Sequence, residues 1–65
     1  MVVERVTREH IRNIKVGEIG LFTLPNKNAR FTAMVQFSMM RRHYGYDFER
    51  VETNDDLSIA YRRTK

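Results

Sequence analysis

The chain has 65 residues, no cysteine and a formal net charge of +4. At this length it forms one domain, residues 1–65, which buries only about 60% of the surface that the unfolded chain exposes. The lack of cysteine excludes disulfides and thiolate metal sites, and leaves self-association as an additional source of stability. No apolar run approaches the roughly 18 residues that span a bilayer, and a signal peptide is not apparent, so we expect a soluble, cytoplasmic protein with no membrane partner.

Charge is distributed unevenly along the sequence. Residues 1–46 hold eight basic and three acidic side chains, residues 47–56 hold one and five, and residues 57–65 hold three and none. A basic domain with a confined acidic patch attracts a polyanion to one side. The same charges also keep a small protein in solution without any such role.

The first predicted element is a short helix over residues 8–14. Thr7 is suited to cap it, because its hydroxyl accepts hydrogen bonds from first-turn amides, and Val6 is placed to pack on Ile11. Ile11 and Ile14 share one face, so this helix docks through a narrow apolar stripe.

A strand is predicted over residues 18–24, after Gly17 ends the first helix. Gly20 leaves room for a close approach by another element, and Pro25 ends the strand because it has no amide to donate. Apolar side chains lie on both faces of this strand: Ile19 and Leu21 on one, Phe22 and Leu24 on the other.

The longest uninterrupted stretch, residues 28–45, predicts one long helix. Asn26 and Asn28 are both suitable N-caps, and the sequence does not choose between them. Gly45 fits the left-handed position that ends a helix. Apolar residues along the helix form two rows, Phe31, Met34, Val35 and Ser38 with Met39 beside them, and Ala33, Phe37, Met40 and Tyr44. The second row either packs between the sheet and the first helix or contacts another copy of the protein.

Residues 48–53 and 57–62 are predicted strands, joined by the polar turn 54–56 into a hairpin. The chain is therefore an α+β fold in the order αβαββ: short helix, strand, long helix, β-hairpin. A right-handed crossover places the first two strands parallel with the last strand between them, giving a three-stranded sheet with the long helix across one face. A winged helix-turn-helix is the alternative, although it needs two helices where residues 28–45 indicate one.

No catalytic or metal-binding pattern is present. His10 and His43 have no ligand spacing with each other or with a carboxylate, and the three glycines are too scattered to cradle a phosphate. The acidic residues near the hairpin lack a calcium-loop spacing and are predicted to be solvated charges; they are Asp47, Glu49, Glu52, Asp55 and Asp56. The sequence thus predicts no enzyme, no cofactor, no metal and no small-molecule substrate.

The basic residues are the one group of side chains in the sequence that suggests a binding mechanism. The end of the long helix and the end of the last strand, if they meet, combine into a strip that contacts phosphates, and two residues from the start of the helix extend it. The candidate nucleic-acid-binding residues are Arg41, Arg42, His43, Arg62, Arg63 and Lys65, extended by Lys27 and Arg30. Three tyrosines, Tyr44, Tyr46 and Tyr61, either stack on exposed bases or close the core.

The order of motifs also carries a resemblance. KVGEIGLFTLP is followed by a helix ending in glycine, a strand beginning with Phe48 and a terminal strand with an aromatic-Arg-Arg sequence. This pattern resembles small basic proteins of phages and mobile elements, and the sheet-and-helix DNA-binding arms of integrases. The resemblance implies nucleic-acid binding, and no residue role follows from it.

Two functional hypotheses follow. The first is a non-enzymatic accessory protein that binds DNA or RNA through the basic strip. The second is a protein-interaction module that forms a homodimer through the spare apolar row of the long helix or through an uncovered face of the sheet.

Overall fold

A computed structural model describes all residues, 1–65, and has the predicted αβαββ order. The elements are α1 (Arg8–Arg12), β1 (Ile19–Thr23), α2 (Lys27–Tyr44), β2 (Phe48–Val51) and β3 (Ser58–Arg63). The sheet order is β1-β3-β2, and β3 is antiparallel to both neighbours. The predicted α+β class and the central position of the last strand are confirmed. The winged helix-turn-helix alternative is wrong, because α2 runs unbroken.

The core lies between α2 and one face of the sheet, here called the inner face. Phe37 of α2 is at its centre, with its ring stacked on Tyr61 at 4.3 Å and edge-on to Phe48 at 5.0 Å between centroids. Ala33, Phe37 and Met40 are all almost fully buried. The chain's own core therefore covers these three residues, which matches the first of the two alternatives for this row, packing within the protein.

The helix ends follow from local chemistry. Thr7 Oγ1 accepts from the His10 amide at 3.4 Å, and the Thr7 amide donates to His10 Nδ1 at 3.0 Å, so the two residues cap α1 reciprocally. Asn26 is the cap of α2, since its Oδ1 accepts from the Ala29 amide at 2.8 Å. Gly45 ends α2 with a φ of 72°, in the left-handed region that favours glycine.

Some element boundaries differ from the predictions. α1 ends at Arg12 because Asn13 caps it and the Ile14 amide turns back to the Ile11 carbonyl. Ile14 is still buried, and it occupies the space over Gly20 that a Cβ there would fill. β2 stops at Val51, and the Thr53 hydroxyl belongs to the turn, where it lies 3.2 Å from the carbonyl oxygens of both Asp55 and Ser58 and shares its one proton between them.

The opposite face of the sheet, here called the outer face, has no element packed on it. Ile19 and Leu21 of β1 are each about half exposed on this face, beside Val51 and the buried Ala60. The edge of β1 pairs with the N-terminal residues through Val2 and Thr23, whereas β2 forms the other edge of the sheet. Neither helix is long and apolar enough to cross a membrane.

Candidate nucleic-acid interface

The ends of α2 and β3 lie together at one end of the molecule, as the strip hypothesis requires. The amide of Asp47, just after α2, donates to the Lys65 carbonyl at 3.4 Å, and the Thr64 amide donates to the Asp47 carbonyl at 2.9 Å. The Arg41 side chain approaches the Asp47 carboxylate at 3.7 Å. We call this end of the molecule the basic end. Its basic residues from α2 and the C-terminal segment are Arg41, Arg42, His43, Arg62, Arg63 and Lys65.

The two arginines that end β3 lie on opposite faces of the sheet. Arg62 shares the outer face with Ala60, and its guanidinium is 3.9 Å from Glu49 on the neighbouring strand. Arg63 shares the inner face with Tyr61, because side chains alternate along a strand. The predicted continuous strip is therefore split, with Arg62 on the side of the sheet away from α2.

Arg63 is held by the fold. One guanidinium nitrogen, Nη1, donates to the Ile14 carbonyl at 3.0 Å, and Nε donates to the Lys65 carbonyl at 3.1 Å. Its guanidinium carbon lies 4.1 Å from the centre of the Tyr46 ring. Arg63 thus ties the loop after α1 to the end of the sheet.

Lys27 and Arg30 do not extend the strip. They lie at the start of α2, and Arg30 is separated from Arg42 by about 18 Å of helical rise. Arg30 Nε donates to the Ser58 carbonyl at 3.3 Å, at the start of β3. The hollow that contains both residues also contains three carboxylates, those of Glu52, Asp55 and Asp56.

Two arginines of α1 join the basic end, and sequence reasoning missed them. Arg8 lines a shallow hollow with His43 and Tyr44 of α2. Arg12 lies over the Tyr44 ring, 5.4 Å from its centre. The spacing of Arg8 and Arg12 places them on one side of α1, but only the packing of α1 beside the last turns of α2 brings them here.

Two arginines flank a pair of neighbouring tyrosines across the basic end. Arg12 lies over Tyr44, the Tyr44 and Tyr46 rings are 6.1 Å apart with a 33° tilt, and Arg63 lies over Tyr46. We call these four residues the tyrosine ladder. Tyr44 is 46% exposed. Tyr61, in contrast, stacks on Phe37 and belongs to the core.

The other end of the molecule carries a hydrogen-bonded turn. Asp55 accepts from the Leu57 amide and from the Ser58 hydroxyl, both at 2.9 Å, and the hydroxyls of Ser58 and Thr23 are 2.8 Å apart. The Ser58 hydroxyl and then the Leu57 amide hold the pKa of Asp55 below its ordinary value. Asp55 therefore organises this turn, beyond the solvated charge that the sequence predicted.

One row of apolar side chains on α2 faces solvent. Phe31, Val35 and Met39 recur at intervals of four, so they lie along one side of the helix, and Phe31 is 67% exposed. We call these three residues the helix stripe. Arg41 and Arg42 border its C-terminal end.

Comparisons with protein-family models, with curated proteins and with solved structures find no match to this chain. No group of three or more histidine, cysteine, aspartate or glutamate side chains is placed to hold a metal ion.

Proposed function

We propose that this protein is a non-enzymatic accessory protein that binds nucleic acid at the basic end. The observation that carries the proposal is the placement of Arg12 of α1 and Arg63 of β3 over Tyr44 and Tyr46, with Arg8 and the exposed basic residues of the last turn of α2 at the same end of the molecule. Closely grouped arginines suit the phosphates of a polyanion, because each guanidinium donates two parallel hydrogen bonds to one phosphate and the group as a whole matches a row of negative charges.

The cations of the basic end differ in their availability. The side chains of Arg8, Arg12 and Arg42 are exposed, and their guanidinium groups make no hydrogen bond or ion pair within the chain. Arg41 is exposed but near Asp47, and Arg63 is committed to backbone carbonyls. We therefore assign phosphate contact mainly to Arg8, Arg12 and Arg42, with His43 and Lys65 beside them.

The test is a titration of labelled DNA and RNA oligonucleotides at several salt concentrations, followed by fluorescence anisotropy. We expect dissociation constants of about 1–100 μM near physiological salt, and markedly tighter binding at low salt, because phosphate binding releases counterions. Arg42→Ala should weaken binding. It should also make the negative slope of log K against log salt shallower by about 1.

Lys27→Ala is the matched control, since Lys27 is an exposed cation of α2 at the opposite end of the helix. It should leave both the affinity and the slope nearly unchanged. Equal effects of the two substitutions would contradict a localised interface, and no binding at low salt would remove the proposal.

A second candidate function is homodimerisation through the helix stripe. Phe31 borders the hollow with the carboxylates of the hairpin turn, whereas Arg42 borders the other end of the stripe. Antiparallel pairing of two α2 helices around Val35 keeps the two basic ends apart and places each one beside the other copy's hollow, where three carboxylates lie among three cations. Parallel pairing would instead bring the cations together.

Sedimentation at increasing protein concentration tests this second function. Val35→Glu should abolish any dimer, because it places a carboxylate at the centre of the apolar contact. Leu21→Glu on the outer face of the sheet is the control and should leave the dimer intact. A wild-type protein that stays monomeric at high concentration would contradict the homodimer.

A further inference from the structure

We infer that the tyrosine ladder selects single-stranded over double-stranded nucleic acid by stacking an unpaired base on Tyr44. The inference rests on the proposed function, because it names the form of nucleic acid that the same basic end takes. Bases in a duplex are already stacked on their neighbours, whereas a single strand presents their flat faces to an aromatic side chain.

The ladder has a fixed half and an open half. Tyr46 is only partly exposed, packs edge-on against Phe48 at 6.3 Å between centroids, and is covered by Arg63. Arg63 is itself held by two backbone carbonyls. This half is a rigid support for the ring of Tyr44.

The open half consists of Tyr44 and Arg12. Tyr44 is about half exposed although it is aromatic and follows a buried row of α2. Arg12 is exposed, and its 5.4 Å separation from the Tyr44 ring is within the range of a cation–π contact. A base that stacks on Tyr44 displaces this guanidinium, which stays close enough to contact the phosphate of the same nucleotide.

Arg8 lies beside the open half, in a hollow that His43 and Tyr44 also line. A strand whose base lies on Tyr44 therefore has its backbone next to the guanidinium groups of Arg8 and Arg12. The ligand class is a single-stranded polynucleotide, DNA or RNA, held by one stacked base and several phosphates.

The experiment compares four labelled probes of about 12 nucleotides, a length within the site sizes of small single-strand binders. They are oligo-dT, oligo-rU, a DNA duplex, and an oligo-dT of the same length whose bases are replaced by abasic sites. We expect oligo-dT and oligo-rU to bind about tenfold tighter than the abasic strand, which keeps the phosphates and lacks the faces that stack. The duplex should bind more weakly than oligo-dT although its phosphate charge density is higher, because its bases are already stacked.

Tyr44→Leu should lower affinity for oligo-dT by about tenfold and leave the salt slope unchanged, because it removes stacking without removing a cation. Tyr44→Phe keeps the ring and should bind like the wild type. Thermal unfolding by circular dichroism checks that both variants are folded, as expected for an exposed side chain.

The outcomes separate this inference from the function on which it rests. If the abasic strand and the duplex bind as tightly as oligo-dT, and Tyr44→Leu has no effect, base stacking is wrong while phosphate binding stands. If no probe binds at low salt, both fail. A difference between oligo-dT and oligo-rU, with both above the abasic strand, supports stacking and shows which of the two strands is preferred.

Discussion

The two ends of the molecule use their charged side chains differently. At the hairpin-turn end, Asp55, Ser58 and Thr23 form a chain of hydrogen bonds, and Arg30 donates to the same strand. At the basic end, most arginines face solvent and only Arg63 is held by the backbone. The polar residues of the turn maintain the fold, and those of the basic end are largely free for a ligand.

The largest expected effect on the difference between the two ends comes from truncating Ile11, the buried residue that holds α1 against the core. Ile11 is fully buried, and Ile11→Ala should lower the free energy of unfolding by about 2–5 kcal/mol, because it leaves a cavity and loses apolar contact. Urea denaturation measures this loss. Where the variant remains folded, amide exchange should increase in α1 and at the basic end and stay nearly constant at the Leu24 amide, which donates to the Leu57 carbonyl beside the turn.

A smaller change tests the turn. Ser58 is buried and its hydroxyl lies between Thr23 and Asp55, so Ser58→Ala should cost about 1–2 kcal/mol of unfolding free energy. Ser38→Ala removes the same hydroxyl from an exposed helical position and should change stability by less than about 0.5 kcal/mol. Equal effects on the denaturation midpoint would show that the turn network contributes nothing.

The smallest expected effect is the pH dependence of stability that Asp55 contributes at the hairpin turn. Because folding lowers the pKa of Asp55, its contribution is present above the ordinary carboxyl pKa and is lost as pH falls through the lowered value. Asp55→Asn should therefore be less stable than the wild type near neutrality, with the difference shrinking as the pH falls below the ordinary carboxyl range and through the lowered pKa of Asp55. Denaturation curves across this range measure it, and a difference independent of pH would contradict a role for the ionised carboxylate.

Much of the fold could be predicted because the sequence signals for each helix and strand agree with the way these elements pack together. The caps at Thr7 and Gly45, the unbroken stretch that became α2, and the alternation in the last strand each have one simple interpretation. The cap choice between Asn26 and Asn28 required coordinates, since both side chains supply a suitable oxygen.

The candidate site was less predictable, for two different reasons. Arg62 and Arg63 are adjacent in a strand, so alternation alone separates them onto opposite faces, and the sequence already contained that information. The contact of Arg12 with Tyr44 depends on how α1 packs beside α2. The distance of about 18 Å between Arg30 and Arg42 follows from helical rise alone, so the predicted long helix already contained that information.

The short edge strand β2 has a consequence for how this protein behaves at high concentration. An unpaired strand edge is a template on which another chain can extend the sheet, and charged side chains oppose that growth. β2 is four residues long and carries Glu49 and Arg50 in its middle. These two charges oppose the addition of another chain at the β2 edge, which is the edge of the sheet that does not pair with the N-terminal residues.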